Sequence, residues 1–400
     1  MISKNWLTRS VVACGISALF CGAASAGAAE GAPAIALIDA ADAPHWQAPA
    51  AARGWRVIAG AAAQGGGPAT SIDARVQALA AAVRTAIEKG EADPARIYLA
   101  GRGDASAGVF YTVSRVPDLW AAAVAIGGSP APAIDTGRLF TANLSRVPLL
   151  WAGAGAGGEA LAAKLKTAGL DLEWRPAAGL TDTAVFDWLA THQREAFPAT
   201  IDCETNSPTF PRCYWIEMTR FDAQERNDVL PSTELRGGSG ASLDLGAFSY
   251  KTDDPGPGIL VSALPPKYNG PLKVGDRIVE LDGGPIADAQ AYTAMMAKVT
   301  EEKQAVVMVQ RGRERKRVET RIVLSRRDAF VTARVQGQYL PAEKQIQIMS
   351  RTVTEMRLTV PPQWAGSKLF WNGLVLEKID APGCYRLTID KELLHAAPCR

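Results

Sequence analysis

Histidine and a surplus of either charge are scarce in this 400-residue sequence, and both shortages limit what the chain can do. The three histidines stand far apart, so a metal site of clustered histidines and cysteines is not expected. The formal net charge is +2, without a long block of like charge, which argues against a nucleic-acid partner. We therefore expect no metal ion, no cofactor, no nucleic acid and no membrane span in the mature protein.

The first 26 residues are typical of an export signal. Lys4 and Arg9 give a positive start, residues 11–20 form an apolar core that is too short to span a bilayer, and residues 24–26 offer a small-x-small cleavage site. Cleavage after Ala26 would release a periplasmic or extracellular protein.

Cysteine is also sparse, since two of the six cysteines lie in the signal. An even number in an exported chain favours disulfides, and four cysteines allow three pairings. Local pairs are predicted because each closes a short loop within one domain. The predicted pairs are Cys203 with Cys213 and Cys384 with Cys399.

Apolar segments divide the mature chain into regions of different pattern. Strand and helix patterns alternate up to about residue 199, which predicts a mostly parallel sheet covered on both faces. Residues 236–240 are typical of a flexible joint. The predicted regions are an α/β domain over 30–199, a disulfide-pinned hairpin or linker over 200–236, an α+β domain over 237–327 and a small antiparallel β module over 328–400.

The segment 96–108 has the outline of a nucleophile elbow. An apolar strand pattern leads into a glycine-rich corner and then a helix of small residues. An elbow of pattern Gly-x-Ser-x-Gly holds its serine at the tip of that turn. Here Gly101 takes the first glycine position, Gly103 stands at the tip and Ala105 replaces the second glycine.

This segment, continued through residues 116–128, resembles polyhydroxybutyrate-depolymerase-like and feruloyl-esterase-like enzymes of the α/β-hydrolase class. The resemblance implies an α/β-hydrolase-like domain in which a serine, an acid and a histidine follow in that order. In this alignment Gly103 falls where the serine belongs. A shifted register, one residue longer, would use Ser106 instead, with Asp104, Asp182 or Glu159 as partners.

The other two members of the triad are missing where the resemblance places them. The acid should follow the strand 148–152, yet no carboxylate precedes Glu159. The base should lie in the loop 176–183, which has no histidine. His45 stands too early in the chain, His192 lies in the last helix and His395 lies in the tail, so all three are predicted to be structural or surface residues.

Residues 241–326 resemble a PDZ domain of bacterial type, chiefly through the Leu-x-x-Gly-Asp-x-Ile core at 272–283. The resemblance implies a groove that takes an extended peptide or a protein C-terminus as an added strand. The predicted groove residues are Gly258, Ile259, Leu260, Val261, Tyr292, Met295 and Met296.

Two functions follow from these patterns. The main prediction, which leans against an enzyme, is an exported binding or scaffold protein with an inactive esterase-like domain and a peptide-binding PDZ-like domain. The alternative is an active secreted serine esterase that uses Ser106.

Overall fold

The computed structural model describes most of the mature chain. The described residues are 31–60, 71–153, 155–225, 227–235, 241–251, 254–299, 301–324, 331–390 and 393–399. The predicted export signal and the predicted joint at 236–240 lie outside them. None of the described helices is long and apolar enough to cross a membrane.

The first unit alternates strands and helices, as predicted. Its elements are β1 (Ala32–Leu37), a 3₁₀ turn (Ala40–Asp42), α1 (Ala43–Ala51), β2 (Arg56–Ala59), α2 (Ile72–Glu88), β3 (Ala92–Arg102), α3 (Ala105–Arg115), a 3₁₀ turn (Pro117–Leu119), β4 (Ala122–Ile126), α4 (Ala131–Ile134), α5 (Thr141–Leu144), β5 (Leu149–Gly153), α6 (Gly155–Thr167), β6 (Leu172–Pro176) and α7 (Asp182–Ala190).

These strands form a parallel sheet in the order β2-β1-β3-β4-β5-β6 among the described residues. Successive residues of β3 alternate between the two faces, with Leu99 in one apolar core and Tyr98 and Ala100 in the other. Residues of α2, α3 and α6 join the first core, and residues of α1 and α7 join the second. A sheet that is buried on both faces explains the nearly continuous apolar runs of its strands. The predicted mixed α/β class is confirmed.

The long helix α2 shows how local sequence sets an element's limits. The hydroxyl of Ser71 accepts a hydrogen bond from the Ala74 amide at 3.2 Å and caps the first turn. Val76, Leu79 and Val83 recur at helical spacing and are buried against the sheet. Gly90, with φ of +69°, turns the chain away after the last helical residue.

The second unit is an α+β domain that follows three strands of two other sheets. Those strands are β7 (Thr200–Thr205), β8 (Arg212–Cys213) and β9 (Ile216–Phe221). The unit itself comprises β10 (Ala241–Leu243), β11 (Ser249–Tyr250), β12 (Ile259–Ala263), β13 (Arg277–Leu281), β14 (Gly284–Pro285), α8 (Ala289–Ala297), β15 (Lys303–Arg311) and β16 (Glu314–Leu324). Its main strand order is β10-β16-β15-β13-β12-β11, with antiparallel pairs.

A buried ion pair fixes the Gly-Asp turn of this unit. Asp276, whose side chain is 1% exposed, accepts two hydrogen bonds from Arg311 at 2.8 Å and one from the Lys273 amide at 2.7 Å. Burial alone would raise the pKa of Asp276, but the hydrogen bonds from Arg311 and Lys273 hold it below its usual range.

We expect Asp276→Asn to destabilise this unit by about 1.5–3 kcal/mol at pH 7, because charge-assisted hydrogen bonds are lost. The folded pKa is depressed, so the stabilisation is present above the pKa of an unfolded aspartate, about 3.9, and is lost as the pH falls through the lower folded value. Hydrogen-exchange mass spectrometry should show a difference between variant and wild type that stays constant from pH 7 to about pH 4 and shrinks as the pH is lowered further. Glu319→Gln, which removes an exposed ion pair with Arg317, is the control and should change little. A difference that is independent of pH would contradict this assignment.

The last strands belong to a β-sandwich. They are β17 (Ala333–Leu340), β18 (Gln345–Arg351), β19 (Val353–Val360), β20 (Ser367–Trp371), β21 (Leu374–Ile379), β22 (Gly383–Asp390) and β23 (Leu393–Pro398), with a 3₁₀ turn at Pro362–Trp364. One sheet has the order β21-β20-β18-β17-β7 and the other β23-β22-β19-β9-β8 within the described chain. Trp215, Val335 and Leu358 lie in the apolar core that these sheets share.

The segment 200–236 contains a hairpin, as predicted, because β8 pairs with β9 in antiparallel register, but it also pairs with strands that follow the α+β unit. β7 pairs with β17, and β9 pairs with β19, each in antiparallel register. The segment supplies strands to both sheets of the sandwich, and the α+β unit lies between β9 and β17 in the chain. Pairing between strands more than 100 residues apart leaves no local pattern in sequence, so the prediction missed it.

Both predicted disulfides are confirmed. Cys203 in β7 is bonded to Cys213 in β8, which joins the two sheets of the sandwich. Cys384 in β22 is bonded to Cys399, just after β23. Such bonds are expected of a chain that folds in an oxidising compartment.

Candidate functional site

The loops that follow β1 and β3 lie side by side at the carboxyl edge of the parallel sheet and form what is called here the corner. After β1 the chain crosses to β2 on one side, and after β3 it crosses to β4 on the other side, so the two connections leave the corner in opposite directions. Ligands of open α/β sheets bind at such a point. The Arg102 amide donates to Asp42 Oδ2 at 3.0 Å and ties the two loops together.

Gly103 stands at the tip of this corner, as the predicted elbow register has it. Its φ is +54°, its amide donates to the Ile126 carbonyl at 2.8 Å, and α3 begins two residues later at Ala105. A Cβ on Gly101 would lie 2.9 Å from the Ala105 carbonyl oxygen, so only glycine fits there. The turn has the shape of an elbow, and its tip carries no hydroxyl.

Ser106, the alternative nucleophile, is turned into the protein. Its side chain is fully buried, and its hydroxyl donates to the carbonyls of Ile126 at 3.2 Å and Gly127 at 3.0 Å. A hydroxyl in this position fastens α3 to the end of β4 and is not presented to a substrate. The sequence placed Ser106 one residue too deep for the tip, and burial is the consequence.

The carboxylates that were predicted as partners of Ser106 lie at three separate places. Asp104 is exposed just after the tip, and Glu159 is exposed on α6. Asp182 is the first residue of α7, whose N-cap Thr181 accepts from the Ala184 amide at 3.2 Å.

Asp182 instead meets His45. His45 Nε2 lies 3.1 Å from Asp182 Oδ1 and 2.8 Å from Arg102 Nη1, and Arg102 Nη1 lies 4.0 Å from the same carboxylate oxygen. The three side chains are each a little more than one-third exposed, so water reaches them. His45 lies in α1, Arg102 at the end of β3 and Asp182 at the start of α7. His45 and Asp182 are 137 residues apart in the sequence.

The contacts of His45 Nε2 define two states of the imidazole. When Nε2 is unprotonated it accepts from Arg102, and when it is protonated it donates to Asp182. When Nε2 gains a proton, its hydrogen-bond partner therefore changes from the cationic Arg102 to the anionic Asp182. An imidazole with this pair of neighbours can take a proton and release it again.

His45 is the residue that the sequence prediction missed. The resemblance places the base after β6, where the sequence has no histidine. In the structure Asp182 follows β6, and His45 follows β1. The rule that polar residues beyond the carboxyl ends of parallel strands converge would have named both. His192, by contrast, has the structural role predicted, because its ring packs on Trp188 at 4.4 Å and its Nδ1 lies 2.9 Å from the Trp188 carbonyl oxygen. His395 lies on β23 at the far end of the sandwich.

A mostly apolar cavity of about 290 Å³ borders the same corner. Ile38 and Asp39 line it from the end of β1, and Asp104 and Gly108 line it from the start of α3. Tyr111 closes one side and donates to Asp73 at 2.7 Å, and burial raises its pKa. Among the described residues, no cluster of three histidine, cysteine or carboxylate side chains is placed to hold a metal ion.

The predicted peptide groove does not form at β12. β12 is paired with β13 on one side, and on the other β11 pairs with it through Tyr250 and Val261. Because both sides are paired, no peptide can add at that strand. Gly258 sits against the Ile278 carbonyl with φ of +74°, and Ile259 and Val261 are core residues, whereas Leu260 is half-buried.

The predicted helix residues of the groove also lie in or near the core. Tyr292 and Met296 are buried, Met295 is half-buried, and burial raises the pKa of Tyr292. Tyr292 packs edge-on against Tyr250 of β11 at 5.6 Å. Tyr292 thus packs against a residue of β11, whereas the predicted groove lies at β12.

No family model and no curated protein matches the chain. Solved structures match parts of it. A thermostable esterase is 18% identical, with 29% of this chain and 36% of that chain covered and a TM-score of 0.23. Esterase PE8 is 15% identical, with 40% and 91% covered and a TM-score of 0.30. Esterase 2 of Thermogutta terrifontis, phosphorylated by paraoxon, is 16% identical, with 42% and 83% covered and a TM-score of 0.31.

The match to the thermostable esterase spans little more than a third of that protein. All three of these neighbours are esterases, whereas the main prediction was a non-catalytic binding or scaffold protein, and that prediction is not kept. The predicted alternative was a hydrolase, but its nucleophile, Ser106, is buried.

Proposed function

We propose that the α/β unit hydrolyses carboxylic esters with water as the direct nucleophile and His45 as the general base. The observation that carries the proposal is the contact of His45 Nε2 with Asp182 and Arg102 at the corner between β1 and β3. A general base must lie within hydrogen-bond reach of the proton that it removes, directly or through one water. The side chain of His45 is 35% exposed, so water reaches it.

The three side chains divide the chemistry between them. When an ester binds, Arg102 leaves His45 Nε2 for the ester carbonyl oxygen, so that Nε2 can take a proton from water, and the resulting hydroxide attacks the ester carbonyl carbon. The Arg102 guanidinium stabilises the oxyanion of the tetrahedral intermediate, as a fixed positive charge does in acyl transfer. Asp182 stabilises the imidazolium, which then returns its proton to the departing alkoxide, so that an acid and an alcohol are released.

The cavity beside Gly103 supplies a place for the acyl group. Its lining is mostly apolar, and its volume of about 290 Å³ suits a short chain and not a bulky one. The open tip of the turn helps, because a Cβ at Gly103 would meet nothing within 4 Å. An ester carbonyl can therefore approach the backbone of the corner closely.

The test is hydrolysis of 4-nitrophenyl acetate and butyrate by the purified mature protein. We expect turnover that saturates with substrate. His45→Gln should lower kcat/KM by about 100-fold or more, the usual contribution of a general base. Ser106→Ala tests the serine alternative and should leave kcat within a few-fold.

His192→Gln is the matched control, since it removes the other histidine of the same domain at a site away from the corner. It should hydrolyse the esters as the wild type does. The proposal fails if the wild-type rate does not saturate with substrate, or if His45→Gln retains full activity while remaining folded by circular dichroism.

We also infer that the second unit is of PDZ type and that the protein is exported. The Gly275-Asp276 turn, the helix α8 and the closing strand β15 support the first inference. The two disulfides support the second.

A further inference from the structure

The outer face of one sheet of the sandwich carries an unusual row of amides. In β17 and β18, apolar residues such as Val335 and Ile346 point into the sandwich, and every second residue points outward. The outward residues include four glutamines, which are Gln336, Gln338, Gln345 and Gln347.

Strand register brings these side chains together. Gln338 lies opposite Gln347, and Gln347 in turn lies beside Phe370 of β20. On the other side Gln338 lies opposite Thr200 of β7. One continuous row across the sheet therefore runs from a hydroxyl through two amides to an aromatic ring.

The row forms the floor of a groove of about 540 Å³. Arg146 borders one end and donates to the Thr200 hydroxyl, while Gly373 of the β20–β21 turn borders the other. Met349, which is 40% exposed, adds apolar surface within the groove. A volume of this size lies in the range of small-ligand sites.

The groove is close to electrically neutral. Its lining has one carboxylate, Asp202, and one guanidinium, Arg146. Asp202 is already occupied, because Arg334 donates to both of its oxygens, at 2.9 and 2.6 Å, and Gln336 donates to it at 2.9 Å. A cationic ligand would therefore find no uncompensated carboxylate in the groove, and the one guanidinium, Arg146, lies at its end and donates to the Thr200 hydroxyl, so the floor itself is neutral.

We propose that this groove binds a neutral oligosaccharide. Each glutamine amide can both donate and accept hydrogen bonds, which is what the vicinal hydroxyl groups of a sugar require. Phe370 and Met349 offer apolar surface to the C–H face of a sugar ring. The inference does not depend on ester hydrolysis, because none of the groove residues belongs to the corner of the parallel sheet.

The experiment is isothermal titration of the full mature protein with four neutral probes, namely cellohexaose, xylohexaose, maltohexaose and N-acetylchitohexaose. At least one probe should bind saturably. The double variant Gln338→Ala/Gln347→Ala should bind that probe at least tenfold more weakly, and Met349→Lys should weaken binding as well. Both changes are at exposed positions, so the melting temperature should stay within a few degrees of wild type.

Gln363→Ala is the matched control, since Gln363 is an exposed glutamine of the same sandwich that does not line the groove. It should bind like wild type, and so should His45→Gln, which separates this inference from the proposed esterase. The inference is overturned if none of the four probes binds, if the double variant binds as tightly as wild type, or if the face proves to join two copies of the chain in a dimer that Met349→Lys separates.

Discussion

Replacing Glu204 by glutamine is expected to lower the free energy of unfolding by roughly 3–5 kcal/mol, the usual result of breaking a buried charge pair on one side. The side chain of Glu204 is completely buried at the edge of the sandwich. The two carboxylate oxygens of Glu204 accept hydrogen bonds from five donor groups. These are the Ser232 hydroxyl, the Thr233 amide and hydroxyl, the Thr332 hydroxyl and the Arg351 guanidinium.

Glutamine has nearly the same shape, so the expected loss is electrostatic. Its NH₂ group would face donors such as the Thr233 amide, and Arg351, 15% exposed, would keep its charge without a counter-charge. Urea unfolding followed by tryptophan fluorescence should show the shift, because Trp215, Trp364 and Trp371 all lie in the sandwich core.

Glu377→Gln is the control for the loss of a glutamate charge in the same sandwich. Glu377 pairs with Lys368 at 2.8 Å but is 79% exposed, so the change should stay within about 0.5 kcal/mol. Equal effects of the two changes would mean that the buried network around Glu204 contributes nothing specific.

The change at Glu204 should also be felt in the α/β unit. The Glu204 amide donates to Asn143 Oδ1 of α5, and Asn143 Nδ2 donates back to the Glu204 carbonyl, both at 2.8 Å. The segment that binds the carboxylate continues along the same unit, where the Thr141 amide donates to the Thr233 carbonyl at 2.9 Å. Faster hydrogen exchange of α5 in Glu204→Gln than in Glu377→Gln would verify this connection.

Gly128→Ala is expected to destabilise the α/β unit by about 2–4 kcal/mol, from overpacking together with backbone strain. Gly128 has φ of +53°, and a Cβ there would collide with the carbonyl of Gly103, a backbone group that cannot rotate away. The tip of the corner and the start of α3 would have to move. Thermal unfolding should report the loss, and ester hydrolysis should fall with it.

Gly103→Ala is a closely matched control. Its φ of +54° imposes the same backbone strain, but its Cβ would enter open space. Only about 1 kcal/mol should be lost, the cost of a left-handed conformation without a collision. If the two alanine variants lose equal stability, the close approach of Gly128 to Gly103 is not what requires glycine.

The sequence predicted what local patterns encode. Alternating apolar segments predicted the parallel sheet, and loop length predicted both disulfide pairs. It failed where partners are distant. The pairing of β7 with β17 and the contact of His45 with Asp182 each join residues more than 100 positions apart.

The errors at the two sites have a common physical origin. The elbow alignment placed Gly103 at the tip of the turn, where the structure also has it. The expected order of serine, acid and histidine puts the histidine last, whereas His45 precedes both Gly103 and Asp182 in the chain. In the second unit, β12 has the apolar pattern of a strand, whereas β11 is only Ser249–Tyr250, so the sequence pointed to β12, although Tyr292 of α8 packs on Tyr250 of β11. A spatial order of this kind has no signature in residue spacing.

The place of the α+β unit between β9 and β17 has a consequence for how the chain acquires its structure. Synthesis delivers β7, β8 and β9 long before the strands that cover them, whereas the unit between them in the sequence has the partners of its strands close by in the chain. Contacts of short sequence separation form first, so this middle unit should mature early and hold the waiting strands near their later partners. The bond between Cys203 and Cys213 would meanwhile keep β7 and β8 together until the carboxyl-terminal strands arrive.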